Sequence, residues 1–321
     1  MKPFRFIYRS TKKFILNLSA FGPKVAFYSF LFDYIIKINC NSSAKKWFIE
    51  KKHQAIINYI RTKYQNVIQE FKDKKWNISN DSGYNNYIWI CWWQGEENLD
   101  EITSCCVNSI RKHAKNHTIK FITQNNYQNY VHIPPYIINK MDQGLISFTQ
   151  FSDILRMNLL YTHGGLWLDA TMFLTKEIPI EVFTKKLYSQ KGEKFGHFVS
   201  DCKWSGFFIG GNKNGLLFEY MKSIFNAYWE HENHLIDYYL IDYLIKVGYE
   251  DIPEIRKNID NIPNNNPHIY TLEALLNKKY DENIFSQIKR DTSFYKLSRK
   301  TVHHKFTEKG EYTFYYHIIN S

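Results

Sequence analysis

From residue 87 onward, short continuous apolar runs alternate with segments whose apolar positions recur every three or four residues, a pattern that predicts strands alternating with helices. Tyr87 to Trp93 (YIWICWW) opens the series as a strand buried on both faces. A helix from Asn98 to His113, a strand over Ile119 to Thr123, a helix around Tyr136 to Met141 and a helix from Phe151 to Tyr161 follow. Gly164 and Gly165 end that last helix before the apolar stretch Leu166 to Leu174, read as a short strand whose C-terminal end carries Asp169. Gly206 to Gly210 reads as another strand, and Leu216 to Trp229 and Leu235 to Val247 as helices; beyond Tyr249 the chain is rich in Asn and Pro and its patterns weaken. Such alternation predicts an α/β domain with a mostly parallel sheet flanked by helices.

The first 80 residues are patterned differently. Phe21 to Ile38 is apolar with Pro23 at a helix start, but Lys24, Asp33 and Lys37 interrupt it. It therefore falls short of the roughly 20 largely uncharged residues of a membrane-spanning helix. Between Ala44 and Phe71, apolar residues including Trp47, Ile56, Ile60, Tyr64 and Ile68 step by three and four, predicting a long amphipathic helix laid on the domain. The polar stretch Asn77 to Asn86 closes this region. The chain thus divides into a helical N-terminal region, 1–80, and a body, 81–321.

Composition sharpens that division. With 44% hydrophobic and 17% aromatic residues, only 14 Gly and 8 Pro, the chain is neither disordered nor collagen-like. Its net charge of +11 is unevenly placed: residues 1–80 hold 16 Lys/Arg against 4 Asp/Glu, and residues 81–321 hold 26 against 27. A near-neutral body lacks the basic stripe of a nucleic-acid groove, so no nucleic-acid partner is expected. Lys2, Arg5, Arg9, Lys12 and Lys13 are interleaved with Phe4, Phe6, Ile7 and Tyr8, which suits an anionic membrane surface at about 1 kcal/mol per basic residue. The competing reading packs the apolar helix on the body and leaves the basic residues solvated. Five cysteines without a C-x-x-C pair argue against a disulfide framework or a zinc site, and no segment has the form of a secretory signal.

The segment Phe151 to Thr171 (FSDILRMNLLYTHGGLWLDAT) concentrates the candidate chemistry. Asp153 and Arg156 share a helix face, where a carboxylate and a guanidinium can hold a sugar hydroxyl and a phosphate together. An isolated pair at that spacing is ordinarily a surface ion pair. Here the diglycine turns the chain into a strand ending in an acid, and open α/β sheets bind ligands outside the carboxyl ends of their strands.

In its order of parts, S-D-x-x-R, apolar helix, G-G, apolar strand and acid, this segment resembles the glycosyltransferases with a DXD sugar-binding region. These include glycosyltransferase family 32, and the likeness is greatest to bacterial capsular polysaccharide synthesis glycosyltransferases. Further matching stretches are Trp89 to Glu97, Cys106 to Ile110, Trp204 to Gly210, Leu235 to Asp242 and Lys296 to Lys300, together spanning roughly residues 85 to 305. The resemblance implies a GT-A-like fold, a nucleotide-sugar donor such as a UDP-sugar, and a divalent cation, Mn²⁺ or Mg²⁺. It places the first acid of the motif, Asp169, near the metal and ribose, and the second position, here Thr171, on the metal. A threonine hydroxyl is a neutral and weaker ligand, although D-A-T is the form usual in the capsular subgroup. Family 32 membership would also imply retention of anomeric configuration, with the leaving phosphate assisting the incoming hydroxyl.

The same resemblance directs attention to other residues. The nucleobase is expected near Trp89 or Trp92, with Gln94 and the backbone beside it. Gly165, in the tight turn before the acid-bearing strand, is counted among the donor-binding residues, and Gly95 beside Gln94 allows close backbone approach. Asp237 and Asp242 are candidates for contacts with donor sugar or acceptor, against the alternatives of a helix cap and a buried ion pair. Lys296, Arg299, Lys300, His303, His304 and Lys305 form a basic cluster that can cover the diphosphate, with Lys296, Lys300 and His304 expected to bind the donor. The expected function is transfer of a hexose to a bacterial surface polysaccharide or lipid-linked oligosaccharide, at the inner face of the cytoplasmic membrane. The rivals are a metal-dependent nucleotide-sugar hydrolase or phosphosugar transferase, and a non-catalytic membrane-associated adaptor.

Overall fold

The computed structural model describes residues 2–37, 43–74, 86–192 and 198–320, with side chains from residue 6 onward. The side chains of Lys2 and Arg5, and all of the Asn77 to Asn86 stretch except Asn86, lie outside these described residues. Three helices come first: α1 (Lys2–Ile35), α2 (Ser43–Lys63) and α3 (Gln65–Lys72). The body begins with β1 (Tyr87–Cys91), α4 (Glu101–His113), β2 (Thr118–Ile122), α5 (Pro135–Asp142), α6 (Phe148–His163), β3 (Gly165–Leu168) and β4 (Met172–Leu174). It continues through α7 (Glu181–Thr184), β5 (Leu187–Ser189), β6 (Phe208–Gly211), α8 (Leu216–His231), α9 (Leu240–Asp251) and α10 (Pro253–Asp260). It ends with α11 (Thr271–Leu275), α12 (Glu282–Asp291), β7 (Phe294–Lys296) and α13 (Phe314–Ile319).

The central sheet has strand order β2-β1-β3-β6-β5. Pairings β1–β2 and β1–β3 are parallel, while β3–β6 and β5–β6 are antiparallel, so the α/β architecture is as expected but the sheet is mixed. Alternation along the strands assigns the two layers. Trp89, Trp167 and Ile209 face a core built with α6, α8 and α9. Ile88, Ile90, Leu166, Leu168 and Phe208 face the opposite one, against Val107 and Ile110 of α4. A separate two-stranded sheet pairs β4 with β7 over a third cluster containing Phe173, Tyr295 and Phe314.

Three local departures from the sequence pattern have physical causes. The expected strand Leu166 to Leu174 is two strands in different sheets, because the chain turns at Asp169, whose carbonyl accepts from the Met172 amide at 2.9 Å. The long amphipathic helix breaks at Tyr64 into α2 and α3, and Trp47, expected in the core, is exposed. The helix expected from Leu235 starts only at Leu240, leaving Asp237 in the preceding loop.

The helix α1 is folded back on itself at Gly22 (φ 83°, ψ 173°), in a left-handed conformation that favours glycine, and Pro23 restarts it. Contacts across the fold, Phe14 with Phe30 at 5.5 Å and Lys13 with Asp33 at 3.2 Å, define an antiparallel hairpin. Phe6–Ile35 is long and apolar enough to cross a membrane by length and composition, but the fold divides it, and neither arm offers an uncharged stretch of that length. Helices α2 and α3 are part of the main core: Ile56, Ile60, Tyr64 and Phe71 pack in the same cluster as α8 and α9. The buried ion pair Lys52–Asp237 (2.6 Å) and Arg61 with Glu250 and Asp251 fasten them further.

Candidate functional site

Asp169 sits in the turn that leaves the carboxyl end of β3, beside the end of β1. The preceding diglycine has φ of 70° at Gly164 and 93° at Gly165, and a side chain on Gly165 would lie 2.5 Å from the Tyr87 carbonyl oxygen. Both glycines are therefore required for β3 to enter the sheet beside β1. Antiparallel pairing of β4 with β7 then sets Lys296 opposite Met172, and the Leu297 amide donates to the Thr171 carbonyl at 3.0 Å. A lysine 127 positions away in sequence thereby reaches Asp169: its ammonium is 2.6 Å from Asp169 Oδ2 and 2.6 Å from Thr171 Oγ1.

Asp153 and Arg156 complete the cluster from α6. Both are buried, and Arg156 Nη2 lies 3.2 Å from Asp153 Oδ1 and 3.3 Å from Asp169 Oδ1, bridging the two acids. The Trp167 indole donates to Asp169 Oδ1 at 2.9 Å, and the Arg156 guanidinium carbon lies over the Trp167 ring, 4.8 Å from its centre. The two acids consequently differ. Burial acts against ionisation of Asp169, but Lys296 and Arg156 outweigh it and hold that carboxyl well below the usual range. Burial pushes Asp153 up to about 7, with Arg156 only partly opposing and the Asp169 charge adding to the rise. Burial also lifts the neighbouring Cys91 thiol to about 12, which leaves it unreactive.

A cleft of about 750 Å³ opens beside this cluster, lined among others by Phe198, Trp204, Gly206, Phe207, Tyr239, Asp242 and Tyr270. It adjoins the cluster at two points. A Cβ on Gly206 would fall 2.9 Å from Arg156 Nη1, so the missing side chain makes room for the guanidinium. The Phe207 ring lies 5.1 Å from the Lys296 ammonium. Asp242 accepts from the Trp204 indole at 2.8 Å and makes no ion pair among the described residues. Burial raises its carboxyl to about 6. Aromatic walls with one carboxylate offer stacking for the apolar face of a sugar ring and an acceptor for its hydroxyls.

Of the residues singled out from sequence, Asp153, Arg156, Asp169, Thr171 and Lys296 form one contiguous cluster, and Asp242 lines the adjoining cleft. Others fall elsewhere. Trp89 is completely buried, donates to the Gly164 carbonyl at 2.8 Å and packs on Tyr130 and His163, so it cannot stack on a base. Trp92, just past the end of β1, is half-buried with Arg299 4.8 Å from its ring, and Gln94 is exposed beside it. Gly165 serves the β3–β1 contact. Asp237 is neither a site residue nor the cap of α9: it is bound to Lys52 at 2.6 Å and accepts from the Tyr239 amide at 3.0 Å, so the buried ion pair weighed for Asp242 belongs to Asp237 instead. The C-terminal basic residues disperse: Lys305 pairs with Glu101 and Arg299 with Asp100, His304 is exposed, and exposed Lys300 lies 5.5 Å from the Tyr238 ring. Only Lys296 of that group enters the cluster. Trp167 and Gly206 lie in stretches the sequence singled out but were given no site role there. Trp167 was accessible through strand alternation, since it lies two residues before Asp169 on the same face; the closeness of Gly206 to Arg156 depends on tertiary packing.

Asp169 and Thr171, the expected metal ligands, do not fit that role as arranged. Both point to one ammonium, Asp169 Oδ1 is taken by Trp167 and Arg156, and no group of three or more His, Cys, Asp or Glu able to hold a metal occurs among the described residues. A divalent cation would have to displace Lys296 and face Arg156.

The charged cluster gathers beyond the carboxyl end of β3, the region where open α/β sheets ordinarily bind ligands, and opens on the aromatic cleft. The chain belongs to the capsular polysaccharide synthesis protein family, whose profile matches residues 30–318. No curated protein matches it. Among solved structures it is similar to one described as "PaToxG Glycosyltransferase", with 12% identity and a TM-score of 0.36 over 78% of this chain and 96% of that one, a likeness too distant to carry an argument.

Proposed function

We propose that the protein is a glycosyltransferase that moves a hexose from a nucleotide-sugar, taken to be a UDP-sugar, to a surface polysaccharide or lipid-linked acceptor. The observation that carries this reading is the juxtaposition of the Asp153–Arg156–Asp169–Lys296 cluster with the aromatic cleft bearing Asp242. Asp169 receives ribose hydroxyls, Arg156 and Lys296 face the diphosphate, Trp92 faces the base, and Asp242 accepts from hydroxyls of the transferred sugar or acceptor. Family membership supports the same conclusion. Incubation with a panel of nucleotide-sugars, with release of nucleotide and product mass both measured, tests it. Sugar on an added glycan or lipid acceptor is the expected product. Free sugar or transferred sugar phosphate would assign the protein to hydrolysis or phosphosugar transfer instead, and binding without turnover to an adaptor role.

We further propose that the α1 hairpin attaches the protein to the inner face of the cytoplasmic membrane. Ile7, Tyr8, Ile15, Leu18 and Phe27 are exposed on it together with Arg9, Lys12 and Lys24, an apolar surface mixed with cations that suits an anionic bilayer. Sedimentation with anionic vesicles should be lost on replacing Arg9 and Lys12 with Gln and Ile7, Ile15 and Leu18 with Ser, while turnover on a soluble acceptor persists. Unchanged sedimentation would refute the attachment.

A further inference from the structure

We infer that Lys296 takes the place of a divalent cation, so that the charge of the leaving diphosphate is met by the Lys296 ammonium and the Arg156 guanidinium alone. This rests on the nucleotide-sugar reading of the site and deepens it. The ammonium occupies the point where the two acid-motif positions converge, 2.6 Å from Asp169 Oδ2 and 2.6 Å from Thr171 Oγ1. Threonine at the second position fits a lysine better than a metal: its neutral hydroxyl accepts one ammonium hydrogen, and Asp169 already compensates the charge. A second carboxylate there would over-neutralise a single positive charge.

The placement is built into the fold. Backbone bonds on both sides of the side chain, from the Lys296 amide to Ile269 and from the Leu297 amide to Thr171, fix the base of the lysine. The half-buried ammonium also lies 5.1 Å from the Phe207 ring, at the mouth of the cleft. Arg156 Nη2 stands beside it, 3.3 Å from Asp169 Oδ1, so two cations converge where the diphosphate would arrive. As the bond from the anomeric carbon to the diphosphate oxygen breaks, its electron pair passes to that oxygen, where the two side chains stabilise the developing charge; the anomeric carbon bonds to the acceptor hydroxyl oxygen, whose proton passes to the leaving phosphate.

The test measures UDP affinity by calorimetry in EDTA and again in millimolar Mn²⁺, and follows the free Mn²⁺ signal by electron paramagnetic resonance with protein, with UDP and with both. The expected results are dissociation constants within about twofold in the two buffers, and no loss of free Mn²⁺ beyond that caused by UDP alone. Lys296→Met should weaken UDP binding at least tenfold in EDTA, and Lys296→Arg should recover most of it. Tenfold tighter UDP binding with Mn²⁺, or Mn²⁺ sequestered by the protein–UDP complex, would overturn the inference while leaving the transferase reading standing. Absence of UDP binding in either buffer, with no donor turned over in the panel, would remove both. The wild-type measurements decide the matter even if Lys296→Met fails to fold.

Discussion

Asp237 offers a sharp separation of structural from functional roles. Its carboxylate is 2.6 Å from the Lys52 ammonium, with the two side chains only 7% and 5% exposed, and the ammonium also lies 3.8 Å from the Phe32 ring centre. Asp237→Ala leaves a lysine charge buried without its counter-ion, a loss of about 3–5 kcal/mol for a pair of this kind. Loss of the bond to the Tyr239 amide adds about 1 kcal/mol. Across a domain of this size such a change lowers the melting temperature by roughly 10 °C. Lys52→Met combined with Asp237→Asn removes both charges, keeps similar volumes and should recover most of the loss. Thermal unfolding of the two single variants and the double variant measures the coupling, and UDP binding at low temperature reports on the site. A melting temperature unchanged in Asp237→Ala, accompanied by loss of nucleotide binding, would refute the clasp and return Asp237 to the site.

The remaining predictions concern the cluster. Asp169→Ala should reduce transfer by at least a hundredfold in folded protein, since it removes the acceptor shared by Lys296, Arg156 and Trp167; wild-type turnover would contradict the assignment. Gly206→Ala places a methyl group 2.9 Å from Arg156 Nη1 and should weaken UDP binding about tenfold with little change in melting temperature. Asp153 has a folded-state pKa raised to about 7 by burial, so its proton contributes stability that is complete below pH about 4 and is lost as pH rises through 7. Asp153→Asn mimics the protonated form: its melting temperature should match wild type below pH about 4 and exceed it increasingly up to pH 8, and parallel curves would refute the shift.

The alternation of strands and helices in the body was legible because each strand is short, apolar and bounded by turns, and the diglycine before β3 marked a position that a side chain would block. The antiparallel half of the sheet was not, because β5 and β6 are only three and four residues long and pairing direction leaves no trace in such runs. Asp153, Arg156 and Asp169 lie within one continuous segment and could be read together. The contact between Lys296 and Asp169 depends on β7 pairing with β4 across more than a hundred residues, so neighbouring basic residues looked equally suited until that register was known. Likewise Asp237 and Asp242 are alike in sequence, and what separates them is Lys52, supplied by a helix nearly two hundred residues earlier.

The β4–β7 pairing also orders events during synthesis. The large core formed by α2, α3, α6, α8 and α9 is complete before β7 has been translated, whereas the charge centre waits for residue 296. A nascent or prematurely terminated chain can therefore hold a folded scaffold with Asp169 exposed to no ammonium. Under the proposed function, competence for nucleotide arrives only with β7, which makes Lys296 the point at which a partly synthesised chain differs from one able to hold its donor.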